Sequence, residues 1–98
     1  MLLIASCAPD LTDEKVEADF RASMAREHPE LRIKRVIDIY STDGWEGGAE
    51  MVVQFDSVCA ENATTSQCQG GLKEYGIGYH FESTSGEWKI VGESLLTK

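Results

Sequence analysis

The most regular alternation in the sequence is LKEYGIGYHFE, residues 72–82. From Tyr75 to Phe81 every second residue is aromatic or aliphatic, and the residues between them are glycine or polar. A period of two is the spacing of side chains on one face of a β-strand. We therefore expect a strand whose row of Tyr75, Ile77, Tyr79 and Phe81 belongs to the core. The alternative is that this row forms the second face of a sheet and is covered by a partner, which predicts a homodimer.

Three further segments predict strands around this one, because β-branched and apolar residues fill them and turn-forming clusters separate them. They are Leu31–Tyr40, Ala49–Asp56 and Glu87–Leu95. In the first segment we expect Ile33, Ile37 and Ile39 to share one face. The clusters Ser41–Gly44 and Gly47–Gly48 are predicted to be turns.

One helix is predicted, over Leu11–His28. Thr12 is a suitable N-cap, and Pro29 ends the helix at or before His28. Apolar residues recur every four positions, at Val16, Phe20 and Met24. A helix followed by four strands predicts an α+β fold, with the helix packed on one face of a curved four-stranded antiparallel sheet.

Composition excludes several classes of protein. The chain has 98 residues, enough for one small domain, and seventeen Asp and Glu against nine Lys and Arg give a net charge of −8. So negative a balance argues against nucleic-acid binding. No apolar run reaches the roughly 18–20 residues of a transmembrane helix. No CxxC pair, histidine cluster or glycine-rich phosphate loop is present, so we expect neither a metal site nor a cofactor.

The first seven residues carry a processing signal. Ile4-Ala5-Ser6-Cys7 resembles the lipobox of bacterial lipoproteins, in which the cysteine becomes the lipid-bearing N-terminus. The resemblance implies a lipid anchor on Cys7 that attaches the protein to a membrane. Only six residues precede Cys7, fewer than a secretory signal needs, so we expect Met1 to be a truncated or misassigned start. The alternative is that Leu2–Cys7 forms a short edge strand or a frayed tail.

The lipobox resemblance also implies the organisation of the chain. Residues 1–6 are then the remnant of a signal peptide, residues 7–10 a lipidated tether, and residues 11–98 a single domain. Ala8 follows the cysteine where family rules for inner-membrane retention require Asp. In a Gram-negative organism we therefore expect an outer-membrane location on the periplasmic side.

The three cysteines are an odd number, which leaves one thiol to explain. If Cys7 carries lipid, Cys59 and Cys68 remain as a pair around a polar stretch. We expect them to form a disulfide, because the compartment of a lipoprotein is oxidising. The alternative is two reduced thiols in a cytosolic protein.

The order of elements and the closing stretch Gly86-Glu87-Trp88-Lys89-Ile90-Val91 resemble the cystatin-like and nuclear transport factor 2-like domains over about residues 11–96. The resemblance implies one alternative function, a small enzyme or ligand carrier. Enzymes of that group hold an Asp base and a Tyr donor between helix and sheet. Asp38, Asp56, Tyr75 and Tyr79 would line such a pocket here. We see no nucleophile, base and orienting group at a defined spacing, and we predict no catalytic residue.

A binding site is predicted where Trp45 lies among polar and glycine residues. This ring either folds back onto the core or stands exposed as an anchor for a partner. Asp43 and Glu46 lie beside it, and the negative charge of the chain would attract a basic protein. We therefore expect a non-catalytic binding module for a protein or cell-envelope component, as a monomer or weak homodimer.

Overall fold

The computed structural model describes residues 11–45, 47–61 and 68–96, so the lipobox lies outside the described residues. The elements are α1 (Asp13–Glu27), β1 (Leu31–Trp45), β2 (Gly48–Cys59), β3 (Gly71–Glu82) and β4 (Glu87–Leu95). The four strands form one antiparallel sheet in the order β1-β2-β3-β4. The predicted α+β class and element order are confirmed, and the sheet is neither closed nor strongly curled.

The core lies between α1 and one face of the sheet. The Phe20 ring packs against Phe55 and Tyr75, with ring centroids 4.8 and 5.7 Å apart. The row from Tyr75 to Tyr79 is buried under the helix, whereas Phe81 is half-buried. The aromatic row therefore faces the helix, as predicted, and is not a surface for a second copy. The buried core residues are Val16, Phe20, Met24, Met51, Val53, Phe55, Tyr75, Ile77 and Tyr79.

Local signals set both ends of α1. The Thr12 side chain accepts a hydrogen bond from the Lys15 backbone N–H at 3.2 Å, which satisfies one free donor of the first turn. At the other end the His28 N–H donates to the Met24 carbonyl at 2.8 Å. Pro29 follows and cannot donate the next bond of the helix. The helix is shorter than predicted by two residues at the start and one at the end.

β1 does not keep the period of two that was predicted for it. In register with β2, Ile33 pairs with Ser57, and Ile39 pairs with Val53. Register shifts follow Ile33 and Val36, and each places an extra residue in β1. The shifts turn Val36 toward the core and leave Ile37 43% exposed. The prediction that Ile37 shares a face with Ile33 and Ile39 is wrong, because an extra residue moves the next side chain to the other face.

A matched pair of variants tests this register. Val36→Asp places a carboxylate against the core, and we expect it to lower the free energy of unfolding by about 2–3 kcal/mol. Ile37→Asp makes the same charge change one residue away, at an exposed position, and should cost less than about 0.5 kcal/mol. Urea unfolding measures both values. Equal losses in the two variants would contradict the register.

Candidate functional site

The two hairpins of the sheet turn at the same end of the molecule. Gly48 pairs with His80 in register, and the Phe81 N–H donates to the Gly47 carbonyl at 2.8 Å. This strand pairing and this hydrogen bond hold the β1–β2 turn beside the C-terminal end of β3. Residues 42–50 and 80–89 together are called the hairpin end below.

One predicted turn is part of a strand. Ser41–Gly44 continues β1, which runs to Trp45, and Trp45 pairs with Gly48. Because the pairing continues through this polar segment, the chain turns only after Trp45, at Gly47. Gly47 has φ of 76°, in the left-handed region that favours glycine. Gly47 therefore lies in a turn, as predicted for Gly47–Gly48, whereas Gly48 is the first residue of β2.

Three of the four described charged side chains of the hairpin end are acidic, and the fourth is Lys89. Glu82 and Glu87 are exposed, and Glu50 is half-buried. The cation Lys89 lies 3.4 Å from Glu87, which leaves two of these three carboxylates without a basic partner among the described residues. Hydrogen bonds from Thr42 to Glu50 at 3.0 Å and from Ser85 to Glu82 at 2.8 Å orient these two groups. The hairpin end therefore presents fixed negative charge to solvent.

Aromatic rings lie in the same region. Phe81 and Trp88 contact each other edge to face, with ring centroids 5.4 Å apart, and both are half-buried. The backbone of the predicted binding residues Asp43 and Trp45 belongs to this end, but their side chains, and Glu46 entirely, lie outside the described residues. The exposure of the Trp45 ring stays a prediction. The sequence did not indicate that Phe81 and Trp88 are neighbours of this site, because only the strand register places them at the hairpin end.

The alternative pocket is not assembled. Tyr75 and Tyr79 lie under α1, whereas Asp38 and Asp56 belong to the opposite face of the sheet, because Asp56 alternates with the buried Phe55. The Asp38 carboxylate accepts a hydrogen bond from its neighbour's backbone N–H at 2.9 Å. Asp56 lies 4.0 Å from the Lys34 ammonium. No shared cavity between helix and sheet therefore unites these two carboxylates with the tyrosines.

Instead, both tyrosine hydroxyls connect the sheet to α1. Tyr79 donates to the Asp19 carboxylate at 2.8 Å, and Lys15 lies 3.1 Å from the same oxygen. The Tyr75 and Ser23 hydroxyls share a hydrogen bond of 2.8 Å. Burial, with the hydrogen bond to Asp19, raises the pKa of Tyr79 far above its usual range, and burial also raises the pKa of Tyr75.

Ser23 extends this network to β4. Its hydroxyl donates to the Glu93 carboxylate, which also accepts from Arg26 at 2.6 Å. Because a serine hydroxyl carries one proton, the Tyr75 hydroxyl donates to Ser23. Ser23 is almost fully buried, and its proton is already committed to Glu93. The network therefore fixes α1 on the sheet and offers no accessible nucleophile.

The raised pKa values of Tyr75 and Tyr79 predict that the protein loses stability at alkaline pH. Their pKa is raised in the folded state, so their contribution is complete below about pH 10, the unfolded value, and is lost as the pH rises above it. We expect the free energy of unfolding to fall above about pH 10. Tyr79→Phe should flatten that fall, whereas Tyr40→Phe, whose hydroxyl lies at the surface, should flatten it less. Urea unfolding as a function of pH measures this, and identical profiles in all three proteins would refute it.

The disulfide links the end of β2 to the chain that enters β3. Cys59 and Cys68 are bonded, with their Cα atoms 5.9 Å apart, which confirms the predicted pair. The Ala60 N–H donates to the Glu30 carbonyl at 2.8 Å next to this link. The disulfide therefore holds together the connection between β2 and β3, at the end of the molecule opposite the hairpin end.

Two other types of site are absent from residues 11–45, 47–61 and 68–96. These residues contain no group of three or more His, Cys, Asp or Glu side chains placed to hold a metal ion. No helix among them is long and apolar enough to cross a membrane. A shallow, open depression of about 200 Å³ lies among Gln54, Leu72, Lys73 and Glu74.

Comparisons with known proteins give no relative. No protein-family model matches the chain, and neither a curated protein nor a solved structure is similar to it. Fold and site together define a small α+β domain with one disulfide and an acidic hairpin end.

Proposed function

We propose that this protein is a lipid-anchored binding module of the bacterial cell envelope, without catalytic activity. The observation that carries the proposal is the hairpin end, where Glu50, Glu82 and Glu87 lie on the face of the sheet away from α1 and the half-buried rings of Phe81 and Trp88 lie at the same end on the other face. Carboxylates attract a basic surface, and aromatic rings supply contact area once that surface has docked. The partner is a basic protein or a cationic component of the envelope.

Two features support the envelope location. Ile4-Ala5-Ser6-Cys7 resembles a lipobox, which makes Cys7 the proposed site of lipidation. The Cys59–Cys68 disulfide is of the kind that persists in oxidising compartments and is rare in the cytosol. In a Gram-negative cell the proposed location is the periplasmic side of the outer membrane, with the cystatin-like domain held near the lipid surface.

Binding is favoured over the enzyme or carrier alternative. A general base must lie within reach of the substrate and, in that group, beside a tyrosine donor in one pocket. Asp38 and Asp56 lie on the face of the sheet away from Tyr75 and Tyr79. Both tyrosine hydroxyls are bonded to α1 side chains. This separation supports a non-catalytic role.

A charge-matched pair of variants tests the binding site. Glu82→Lys/Glu87→Lys reverses two charges at the hairpin end, and Glu27→Lys/Glu61→Lys makes the same net change at exposed positions elsewhere. Lysozyme is a suitable basic probe, with binding measured by titration calorimetry at low salt. We expect the first variant to weaken binding at least about tenfold and the second about threefold or less. Equal weakening would mean that only net charge matters and would overturn the site.

A further inference from the structure

No helix or strand among the described residues covers the face of the sheet that points away from α1, although Val52 on it is buried by neighbouring side chains; this face is called the open face below. Four of the six exposed large hydrophobic residues lie on it, and the other two are Ile37 and Ile90. The four are Val58, Leu72, Val91 and Leu96, with Leu72 and Val91 65% and 63% exposed. We infer that two copies of this chain stack through their open faces.

The placement of these side chains follows from the register and from two glycines. Leu72 pairs with Asp56, which alternates with the buried Phe55. A Cβ atom on Gly76 would lie 3.1 Å from Leu96, so Leu96 packs over the open face. Likewise, the Val91 side chain lies 3.7 Å from the Cβ position of Gly78. Apolar contact area is therefore distributed along β3 and β4.

The size of the open face suits a stable dimer. Four strands spaced about 4.8 Å apart are roughly 19 Å wide, and strands of twelve residues are about 40 Å long. The resulting area of about 750 Å² per copy is close to the roughly 800 Å² that each partner buries in a standard specific interface. A sheet packed on a sheet in this way is a common arrangement.

Charge selects the orientation of the two copies. The open face carries basic residues where β1 begins and acidic residues at the hairpin end. They are Arg32, Lys34 and Arg35 at one end, and Glu50, Glu82 and Glu87 at the other. A two-fold axis along the strands would place acidic end over acidic end. An axis across the strands stacks β1 on β1 and β2 on β2, which places Glu50 of each copy near Arg32 and Arg35 of the other, and this is the arrangement we infer.

Sedimentation equilibrium of the full 98-residue chain tests the dimer. We expect a monomer–dimer equilibrium with a dissociation constant on the order of 10 μM, because small interfaces of this size bind moderately. Leu72→Glu should weaken it at least about tenfold by burying a carboxylate. Ala25→Glu adds the same charge on the exposed side of α1 and should leave it within about twofold. A wild-type chain that stays monomeric at about 500 μM, or equal effects of the two variants, would overturn the inference.

A charge swap tests the orientation. Arg32→Glu and Glu50→Lys should each lose self-association, since like charges then face each other in both halves of the dimer. Mixing the two should restore a heterodimer, because each altered end meets its complement. A mixture that remains monomeric, with both variants folded by circular dichroism, would contradict the stacking across the strands.

The dimer and the proposed binding role share Glu50. A basic ligand should therefore shift the equilibrium toward monomer. The tests remain separable, because Leu72→Glu removes the dimer contact while leaving the acidic side chains of the hairpin end in place. Loss of dimerisation with lysozyme binding retained would still support both proposals.

Discussion

Phe20→Ala is expected to lower the free energy of unfolding by about 3–5 kcal/mol. Phe20 is fully buried and contacts both Phe55 and Tyr75, the rings that join α1 to β2 and β3. Removing the ring leaves a cavity that the two flanking strands cannot close, because their spacing is fixed by backbone hydrogen bonds. A domain of this size has about 5–15 kcal/mol of stability in all, so the variant should be close to unfolding.

Urea unfolding followed by circular dichroism measures this effect. Leu72→Ala also truncates a large apolar side chain, but one that is 65% exposed, and it should cost less than about 0.5 kcal/mol. If Phe20→Ala cost no more than Leu72→Ala, the assignment of the core to the helix side of the sheet would be wrong.

Removing the disulfide is the second large effect. For a closed segment of about ten residues, the loss of loop-closure entropy in the unfolded chain corresponds to about 2.7 kcal/mol. We expect Cys59→Ala/Cys68→Ala to lower the free energy of unfolding by about this amount. Unfolding in urea, compared with the wild type under oxidising conditions, gives the value.

Cys7→Ser is the matched control, because it removes a cysteine but leaves the bonded pair intact. It should unfold at the same urea concentration as the wild type. Reductant should destabilise the wild type and the control by the same amount and leave the double variant unchanged. A double variant as stable as the wild type would show that the link contributes nothing to stability.

The core could be read from the sequence wherever the side-chain period was undisturbed. The alternation through Tyr75, Ile77 and Tyr79 and the four-residue spacing of Val16 and Phe20 both identified buried faces, because each element is regular there. The prediction for β1 was wrong for the converse reason. The three register shifts of β1 depend on pairing with β2, and no residue in β1 signals them.

The candidate site was predictable only in part. The hairpin between β1 and β2 was expected close to Trp45, but its alignment with Phe81 and Trp88 follows from long-range strand register. The prediction of the alternative pocket was wrong for a simpler reason. Asp56 directly follows Phe55, and neighbouring residues of a strand face opposite sides, so this carboxylate could have been separated from the core in advance.

The polar link between α1 and β4 had no local signal. Ser23 and Glu93 are seventy residues apart, and each is ordinary in its own segment. Their contact depends on how the helix crosses the sheet, which sequence periodicity does not specify. Hydrogen-bonded groups of this kind become visible only once the tertiary arrangement is known.

We propose that the domain is anchored in the cell envelope through Cys7. The most direct test is the intact mass of the protein isolated from the membrane fraction of its own host, expressed from its native gene. We predict a chain that begins at Cys7, carries acyl groups, and is two hydrogens lighter across Cys59 and Cys68. An unmodified chain with three free thiols would contradict the account.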